Sequence, residues 1–254
     1  MVRPKKHLGQ HFLLDDSIAS RTAALTVALD VDNWLEIGPG TGVLSRYLVE
    51  KEIDVTGIEI DKESIAYLQK NLPNFKVMEG DFLKLDLSEL FVAPFGVIGN
   101  FPYNISSQIV FKILDNVELI PAFCGMFQLE VAMRFAAEPN NKTYGIISVL
   151  AQAWYDLSVE FTVPSTAFKP RPKVQSAVLV ARRHGRPLET DKALFFDVVK
   201  TAFQQRRKML SNALRKFMLP DEDSEHHHLL KLRAENLSVE QFVLLTNLIR
   251  EKNS

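Results

Sequence analysis

The sequence is poor in cysteine and has no long apolar run. Its single cysteine, Cys124, can form neither an internal disulfide nor a zinc site built from several cysteines. The consecutive histidines 226–228 would point in different directions on a helix, so we expect no metal site. No segment approaches the roughly 20 apolar residues that a membrane-spanning helix needs. Residues 1–7 are not followed by a signal-peptide core, so we expect a cytoplasmic protein with no membrane partner.

An excess of charge of one sign is also missing. The 30 Lys and Arg residues nearly balance the 31 Asp and Glu residues, and the formal net charge is −1. This balance argues against a uniformly basic nucleic-acid binder. Basic residues are instead concentrated in two segments, 3–7 and 206–216. Local patches of this kind can neutralise phosphates, whereas solvated helix faces are the commoner explanation of any single run of charge.

Strand-like and helix-like segments alternate over the first two-thirds of the chain. The predicted strands are 33–37, 54–60, 75–79, 97–98, 122–128 and 176–182, and the predicted helices are 43–51, 63–71, 107–114 and 131–137. Segment 145–152 fits either a strand or the beginning of a helix. The alternation predicts an α/β fold with a doubly wound, mostly parallel sheet.

The strand pattern ends at residues 182–187. The segments with helical spacing that follow are 191–201, 208–217, 225–232 and 239–251. Ser238 is predicted to cap the last of these helices, with Gln241 at the reciprocal position of a capping box. We therefore predict one α/β domain over residues 1–184 and a small all-helical C-terminal domain over residues 185–254.

Several residues that can bind an adenosine stand at predicted strand ends, where ligands of doubly wound sheets bind. The glycine-rich segment 38–42 follows the first strand, and its glycines let the backbone approach a ligand closely. Glu59 ends the second strand, where a carboxylate accepts from ribose hydroxyls. Asp81 can accept from an adenine amino group, with Phe82 beside the ring. A phosphate-binding fingerprint is missing, so the set predicts a site for S-adenosyl-L-methionine rather than solvated carboxylates.

A second motif, Asn100-Phe101-Pro102-Tyr103, follows the apolar run 95–99. The Asn100 side-chain oxygen and the Phe101 carbonyl can both accept hydrogen bonds from an exocyclic amino group. Pro102 fixes the turn by locking its φ angle, and the Tyr103 ring can lie against a base. An ordinary X-Pro turn with a packed tyrosine is the alternative. Beside a methyl-donor site, the motif predicts chemistry on the amino group of a nucleobase or a similar amide.

Longer motifs extend along nearly the whole chain. They read HLGQHFL (7–13), LEIGPGTG (35–42), GIEID (57–61), GDF (80–82), NFPYN (100–104), FQLEVA (127–132), FKPRPKVQS (168–176) and FQQRRK (203–208). On these motifs the chain resembles the ribosomal RNA adenine N6-dimethyltransferases. The resemblance implies a Rossmann-like class I methyltransferase sheet. His11 stands where many members of that family carry Asn, and both residues occur in it.

The resemblance also implies a set of cofactor-binding residues. They are His11, Leu13, Gly38, Gly40, Glu59, Asp81, Phe82 and Asn100. Within this set, His11 and Leu13 help to cover the cofactor. Gly38 and Gly40 approach its methionine tail.

For the substrate, the resemblance implies that Asn100 and the Phe101 carbonyl hold the target amino group. Tyr103 and Phe168 are expected to sandwich the target base. The cluster Arg206, Arg207 and Lys208 is typical of the group that dimethylates two adjacent adenosines in the 3′-terminal hairpin loop of small-subunit rRNA, and is expected to contact RNA. We expect a monomer that acts on the small ribosomal subunit.

Other functions stay open at this point. A sister group of the same family modifies large-subunit rRNA and confers antibiotic resistance. A function of another class is a non-catalytic checkpoint that binds an immature small subunit during assembly.

Overall fold

The computed structural model describes residues 2–221 and 223–252. The strands are β1 (Phe12–Leu13), β2 (Asn33–Ile37), β3 (Asp54–Glu59), β4 (Lys76–Glu79), β5 (Gly96–Asn100), β6 (Ala122–Gln128), β7 (Tyr155–Val163), β8 (Phe168–Lys169) and β9 (Ser176–Arg183). The α-helices are α1 (Asp16–Val27), α2 (Val43–Glu50), α3 (Lys62–Asn71), α4 (Ser106–Asp115), α5 (Leu129–Phe135), α6 (Ile146–Gln152), α7 (Lys192–Gln204), α8 (Leu210–Ala213) and α9 (Val239–Lys252). Short 3-10 helices cover Lys6–Leu8, Phe82–Lys84, Leu87–Glu89, Ser165–Ala167, His227–Lys231 and Ala234–Asn236.

The described chain forms two compact units. The first comprises residues 2–132 and Asp156–Arg183, and the second comprises Met133–Tyr155 and residues 184–221 and 223–252. The sequence predicted one break, between residues 184 and 185. The structure differs because α6 packs against α7 and α9, which places the segment before β7 in the helical unit.

A seven-stranded sheet has the order β4-β3-β2-β5-β6-β9-β7. The neighbours from β4 to β6 pair in parallel, and β9 pairs antiparallel with β6. This confirms the predicted doubly wound α/β fold. The chain order reverses between β2 and β5, and such a switch point leaves a crevice at the carboxyl ends of the strands.

The central strands are buried on both faces. Trp34 and Leu35 of β2 and Val97 and Ile98 of β5 are fully buried, as expected of parallel strands covered by helices. The apolar segment 145–152, for which both a strand and a helix were considered, forms helix α6.

The second unit is built around α7 and α9. The Phe203 ring of α7 stacks on the Phe242 ring of α9 with centroids 5.9 Å apart, and Tyr144 meets the edge of Phe203. The helices predicted at 208–217 and 225–232 are confirmed only in part, since α8 covers four residues of the first segment and a 3-10 helix covers His227–Lys231 in the second. No helix among the described residues is long and apolar enough to cross a membrane.

The predicted capping box at the start of α9 is confirmed. The Ser238 backbone N–H donates to Gln241 Oε1 at 2.9 Å, and the Gln241 N–H donates to Ser238 Oγ at 3.3 Å. These two bonds satisfy backbone donors that the first turn of a helix otherwise leaves open. The motif therefore identified the beginning of this helix correctly from the sequence alone.

The turn after β5 begins on a tightly packed ring. Phe101 is fully buried and tilts against Phe127, with centroids 4.9 Å apart. A Cβ atom added at Gly125 would lie 2.5 Å from the Gly99 carbonyl oxygen and 2.5 Å from the Phe101 ring. Two glycines on adjacent strands thus make the space into which Phe101 packs, and this packing fixes where the next residues of the turn emerge.

We predict that Gly125→Ala destabilises the protein by about 1–3 kcal/mol, since the added methyl must displace a backbone oxygen or the Phe101 ring. Gly145→Ala is the control, because its added Cβ would lie 3.9 Å from the nearest atom, on an extended backbone that any residue adopts. It should change the free energy of unfolding by less than about 0.5 kcal/mol. Urea unfolding compares the two variants, and equal midpoints would contradict the packing argument.

Candidate functional site

A cavity of about 260 Å³ lies at the switch point, between the ends of β2, β3 and β5 and the N-terminal segment. Its lining includes most of the predicted site residues: His11, Leu13, Gly38, Gly40, Glu59, Asp81, Phe82, Asn100, Phe101, Pro102 and Tyr103. Residues that are up to 92 positions apart in the sequence therefore meet at one place. Phe168 is the residue of the predicted pocket that the lining lacks.

The glycine-rich loop has the backbone conformation that its sequence suggested. Gly38 and Gly40 have φ angles of +65° and +58°, which side chains rarely adopt. Nothing lies within 4 Å of the Cβ position of Gly38, so its backbone borders open space. A Cβ atom at Gly40 would lie 2.9 Å from the Phe12 ring. The loop is thus open to a ligand on one side and covered by β1 on the other.

Glu59 joins the end of β3 to this loop. Its Oε2 accepts from the Gly40 N–H, and its Oε1 accepts from the N–H groups of Ile60 and Asp61, each at 2.9 Å. Burial raises the pKa of Glu59, and the three backbone donors work against that rise. A carboxylate offers about four acceptor directions, so one direction on Oε2 is left for a ligand hydroxyl.

Asp61, two residues further on, attaches the N-terminal segment. Lys5 Nζ lies 2.5 Å from Asp61 Oδ1, and Gln10 Nε2 donates to Asp61 Oδ2 at 3.3 Å. Burial by itself would raise the pKa of Asp61. The hydrogen bonds from Lys5 and Gln10 outweigh this effect, so the pKa of the carboxyl is lowered. The sequence grouped Lys5 with cations that could contact phosphates, whereas the structure places it in this internal ion pair.

The adenine side of the predicted pocket is formed by Asp81 and Phe82. Asp81 caps the short helix Phe82–Lys84 by accepting from the Leu83 N–H at 3.0 Å. Lys84 Nζ lies 3.6 Å from Oδ2 of the same carboxylate. Phe82 is buried under the cavity, and Lys112 Nζ lies 5.5 Å from its ring centroid. A flat apolar surface and an acceptor are therefore side by side, as a purine requires.

The Asn100 amide is oriented by a backbone group. Its Nδ2 donates to the His11 carbonyl oxygen at 2.8 Å, which leaves Oδ1 as an acceptor at the cavity. The Tyr103 hydroxyl lies 2.5 Å from Oγ of the buried Ser176, and burial raises the pKa of Tyr103. Both side chains that flank the Phe101 carbonyl are therefore fixed before any ligand binds.

Phe168, which the resemblance implied as one face of the sandwich around the target base, does not line the cavity. It forms strand β8, pairs with Leu13 of β1 and is only 3% exposed within the core. The ring that lies on Tyr103 is instead that of His11, with centroids 5.4 Å apart and planes at 24°.

Comparison with known proteins identifies the family of the chain. A family model described as "Ribosomal RNA adenine dimethylase" matches residues 1–251. The chain belongs to the ribosomal RNA adenine dimethylase family. The resemblance noted in the sequence is thereby confirmed.

Two relatives of this family member are named ribosomal RNA small subunit methyltransferase A. The protein of Parabacteroides distasonis is 52% identical over 100% of this chain and 96% of its own length. That of Flavobacterium johnsoniae is 50% identical over 98% of this chain and 96% of its own length.

Solved structures show the same fold. A dimethyladenosine transferase from Plasmodium falciparum has a TM-score of 0.80 at 24% identity and covers 96% of this chain and 98% of its own. The 23S rRNA methyltransferase ErmE has a TM-score of 0.71 at 27% identity and covers 94% of this chain and 99% of its own. Both similarities extend over the sheet and the helical unit of this dimethylase family member.

The predicted RNA-binding cluster is divided in the structure. Arg206 Nε donates to Glu235 at 2.6 Å, and its Nη2 donates to the Asn141 carbonyl oxygen. Arg206 therefore holds parts of the helical unit together, while Arg207 and Lys208 are exposed. No cluster of three or more His, Cys, Asp or Glu side chains suited to a metal occurs within residues 2–221 and 223–252.

Sequence analysis missed Glu36 of β2. The residue lines the cavity, is only 2% exposed, and its Oε2 has no hydrogen-bond partner. Burial raises the pKa of Glu36 to about 8. Its position within the apolar strand Asn33–Ile37 could have identified Glu36, because burying a carboxylate is energetically costly and therefore indicates a specific role.

We predict that Glu36→Gln makes stability less sensitive to pH. The folded protein holds the Glu36 proton up to a pKa of about 8, whereas the unfolded chain releases it near 4.5. Stability of the natural protein therefore falls as pH rises through this window. The melting temperature of the variant should rise relative to the natural protein between about pH 5 and pH 9. Glu89→Gln, at an exposed site, is the control; equal pH profiles of all three proteins would contradict the assignment.

Proposed function

We propose that this protein transfers methyl groups from S-adenosyl-L-methionine to N6 of two adjacent adenosines in the 3′-terminal hairpin loop of small-subunit (16S) rRNA. The products are N6-dimethyladenosines, made during ribosome biogenesis. The observation that carries the proposal is the position of the Asn100–Tyr103 turn, which shares one cavity with an adenosine-type pocket.

The residues of the cavity fit the methyl donor. Glu36 Oε2 is a buried polar atom without a partner, and Gly38 borders open space, so that end of the cavity suits the polar methionine tail. Glu59 has an acceptor direction for the ribose, and Asp81 and Phe82 are placed for the adenine. His11 and Leu13 cover the site. When bound, S-adenosyl-L-methionine supplies a methyl group activated by its positive sulfonium.

The Asn100 turn acts on the nucleophile. Adenine N6 is a poor nucleophile, because its lone pair is delocalised into the ring. Hydrogen bonds from the amino group to Asn100 Oδ1 and to the Phe101 carbonyl favour a pyramidal nitrogen and localise that pair. The main requirement is then alignment for in-line displacement. The nitrogen becomes acidic only after attack, so its proton leaves without a strong general base.

Access to the cavity depends on the RNA. The target base must leave its stack, and a hairpin loop lowers the cost of a few kcal/mol that this requires. The second transfer needs the pocket to readmit a monomethylated nitrogen. Arg207 and Lys208 are the exposed members of the basic cluster and contact RNA phosphates. In this proposal the protein acts as a cytoplasmic monomer on the small ribosomal subunit.

The degree of sequence identity to known relatives favours the small ribosomal subunit over the large ribosomal subunit as the substrate. The relatives named for the small subunit are 52% and 50% identical, whereas the 23S rRNA methyltransferase is 27% identical. A non-catalytic checkpoint has no use for an oriented Asn100 acceptor beside a cofactor-sized cavity.

Purified small and large ribosomal subunits that lack the modification separate these functions. We expect labelled methyl groups on two adjacent adenosines of the small-subunit hairpin loop and none on the large subunit. Primer extension or mass spectrometry maps the positions. Methylation of the large subunit would overturn the substrate assignment, and binding of the small subunit without methyl transfer would favour the checkpoint.

We predict that Asn100→Ala lowers methyl transfer at least about 100-fold, as loss of one preorganised polar contact to the reacting group does. Affinity for S-adenosylhomocysteine, measured by calorimetry, should change only a few-fold. Asn71→Ala is the control, because that exposed amide bonds only to the Tyr67 carbonyl of its own helix. Full transfer by Asn100→Ala would contradict the mechanism.

A further inference from the structure

We propose that Lys112 of α4 is a positioning residue for cofactor recognition, which fixes the direction in which Asp81 accepts from the adenine amino group. The inference rests on the proposed function in one respect, namely the contact between Asp81 and adenine. Lys112 is not among the described residues that line the cavity. It acts through the segment that follows Asp81, to which it donates two hydrogen bonds.

The two bonds hold the backbone of the short helix Phe82–Lys84. Lys112 Nζ donates to the Leu83 carbonyl oxygen at 3.0 Å and to the Leu85 carbonyl oxygen at 2.5 Å. The last carbonyls of a helix have no partner within it, and a lysine near that end can bind them. Lys112 therefore closes the C-terminal end of a helix whose N-terminal end is capped by Asp81.

The same backbone orients the Asp81 carboxylate. Asp81 Oδ1 accepts from the Leu83 N–H at 3.0 Å, while the carbonyl of that leucine accepts from Lys112. Leu83 thus connects the two side chains, because its N–H binds the carboxylate and its carbonyl binds the ammonium. A shift of the Leu83 backbone therefore changes the direction in which Asp81 faces the cavity.

The charge of Lys112 adds to this effect. Its Nζ lies 5.5 Å from the centroid of the buried Phe82 ring, which lines the cavity. Burial lowers the pKa of Lys112, and the carboxylates of Asp81 and Asp86 work against that fall. A lysine normally keeps its ammonium in water, so the partial burial of this one indicates a specific role. One cation interacts with both the ring and the carboxylate that flank the proposed adenine site.

This arrangement predicts an effect on ligand selectivity as well as on affinity. Adenine donates to Asp81 through its 6-amino group, whereas a purine with hydrogen at that position keeps the flat ring and loses the bond. The ratio of the two affinities therefore measures the Asp81 contact. Without Lys112 the carboxylate is no longer held in one direction, and the ratio falls. A general loss of stability would instead weaken both ligands equally.

The test measures, by calorimetry, the affinities of S-adenosylhomocysteine and of its purine-riboside analogue, in which hydrogen replaces the 6-amino group. We expect the natural protein to prefer S-adenosylhomocysteine by at least about ten-fold, as a hydrogen bond to a charged group does. In Lys112→Met, which keeps the apolar stem and loses the ammonium, the preference should fall to about three-fold or less. Lys112→Gln is too short to reach both carbonyls and should show the same loss, so the test stands if the Met variant does not fold.

Lys70→Met is the control, because Lys70 is an exposed lysine in the last turn of another helix, α3. It should keep the preference of the natural protein. An undiminished preference in the folded Lys112 variants would overturn the inference, and so would an equal loss of affinity for both ligands, since that result indicates a structural role alone. If the natural protein binds both ligands equally, the assignment of Asp81 to adenine fails before any variant is compared, and the inference fails with it.

Discussion

The buried Glu59 carboxylate is the contact on which the site depends. It accepts from the Gly40 N–H and from two N–H groups at the end of β3, all at 2.9 Å. The glycine loop and the adjacent strand end therefore cannot move independently. A buried carboxylate with three backbone donors is well satisfied, and removing it would leave those donors without partners. The residue proposed to bind the ribose is thus also the one that shapes the adjacent glycine loop.

Asp61 extends this arrangement to the N-terminal segment. Lys5 and Gln10 bind its carboxylate, and His11 accepts from Asn100 on the far side of the cavity. The segment is therefore attached at both sides of the cavity, by the Lys5–Asp61 ion pair on one side and by the hydrogen bond from Asn100 to the His11 carbonyl on the other. Because the ion pair is partly buried, salt screens it less than a surface pair. The N-terminal segment over the cavity is thus a part of the fold that connects its Asp61 side to its Asn100 side.

Much of the fold and of the cofactor pocket could be predicted from the sequence, because both follow from local patterns. Alternating apolar strands and helices identify a parallel sheet, and the carboxyl ends of parallel strands meet at one edge, so Gly38, Glu59 and Asp81 had to converge. Phe168 was expected at the target base because of the motif that contains it, while its position is decided by pairing with β1, over 150 residues away. The hydrogen bonds of Arg206 could not be foreseen for the same reason, since its partners Asn141 and Glu235 are distant in sequence. Errors of this kind fall where a contact between distant segments decides the role of a residue.

The Asn100 turn shows why the motif alone was insufficient. An asparagine amide can present either its oxygen or its NH2 group to a ligand, and the four-residue motif does not determine which of the two faces the ligand. The choice is made by His11, 89 residues earlier, whose carbonyl takes the NH2 group. Gly99 and Gly125 position the backbone of the turn, because they leave the space between the strands in which the Phe101 ring packs. The turn can therefore serve as the proposed amino-group acceptor only in this fold, with the N-terminal segment in place. A chain that kept the motif but lost the segment would keep the residues and lose the orientation of the acceptor.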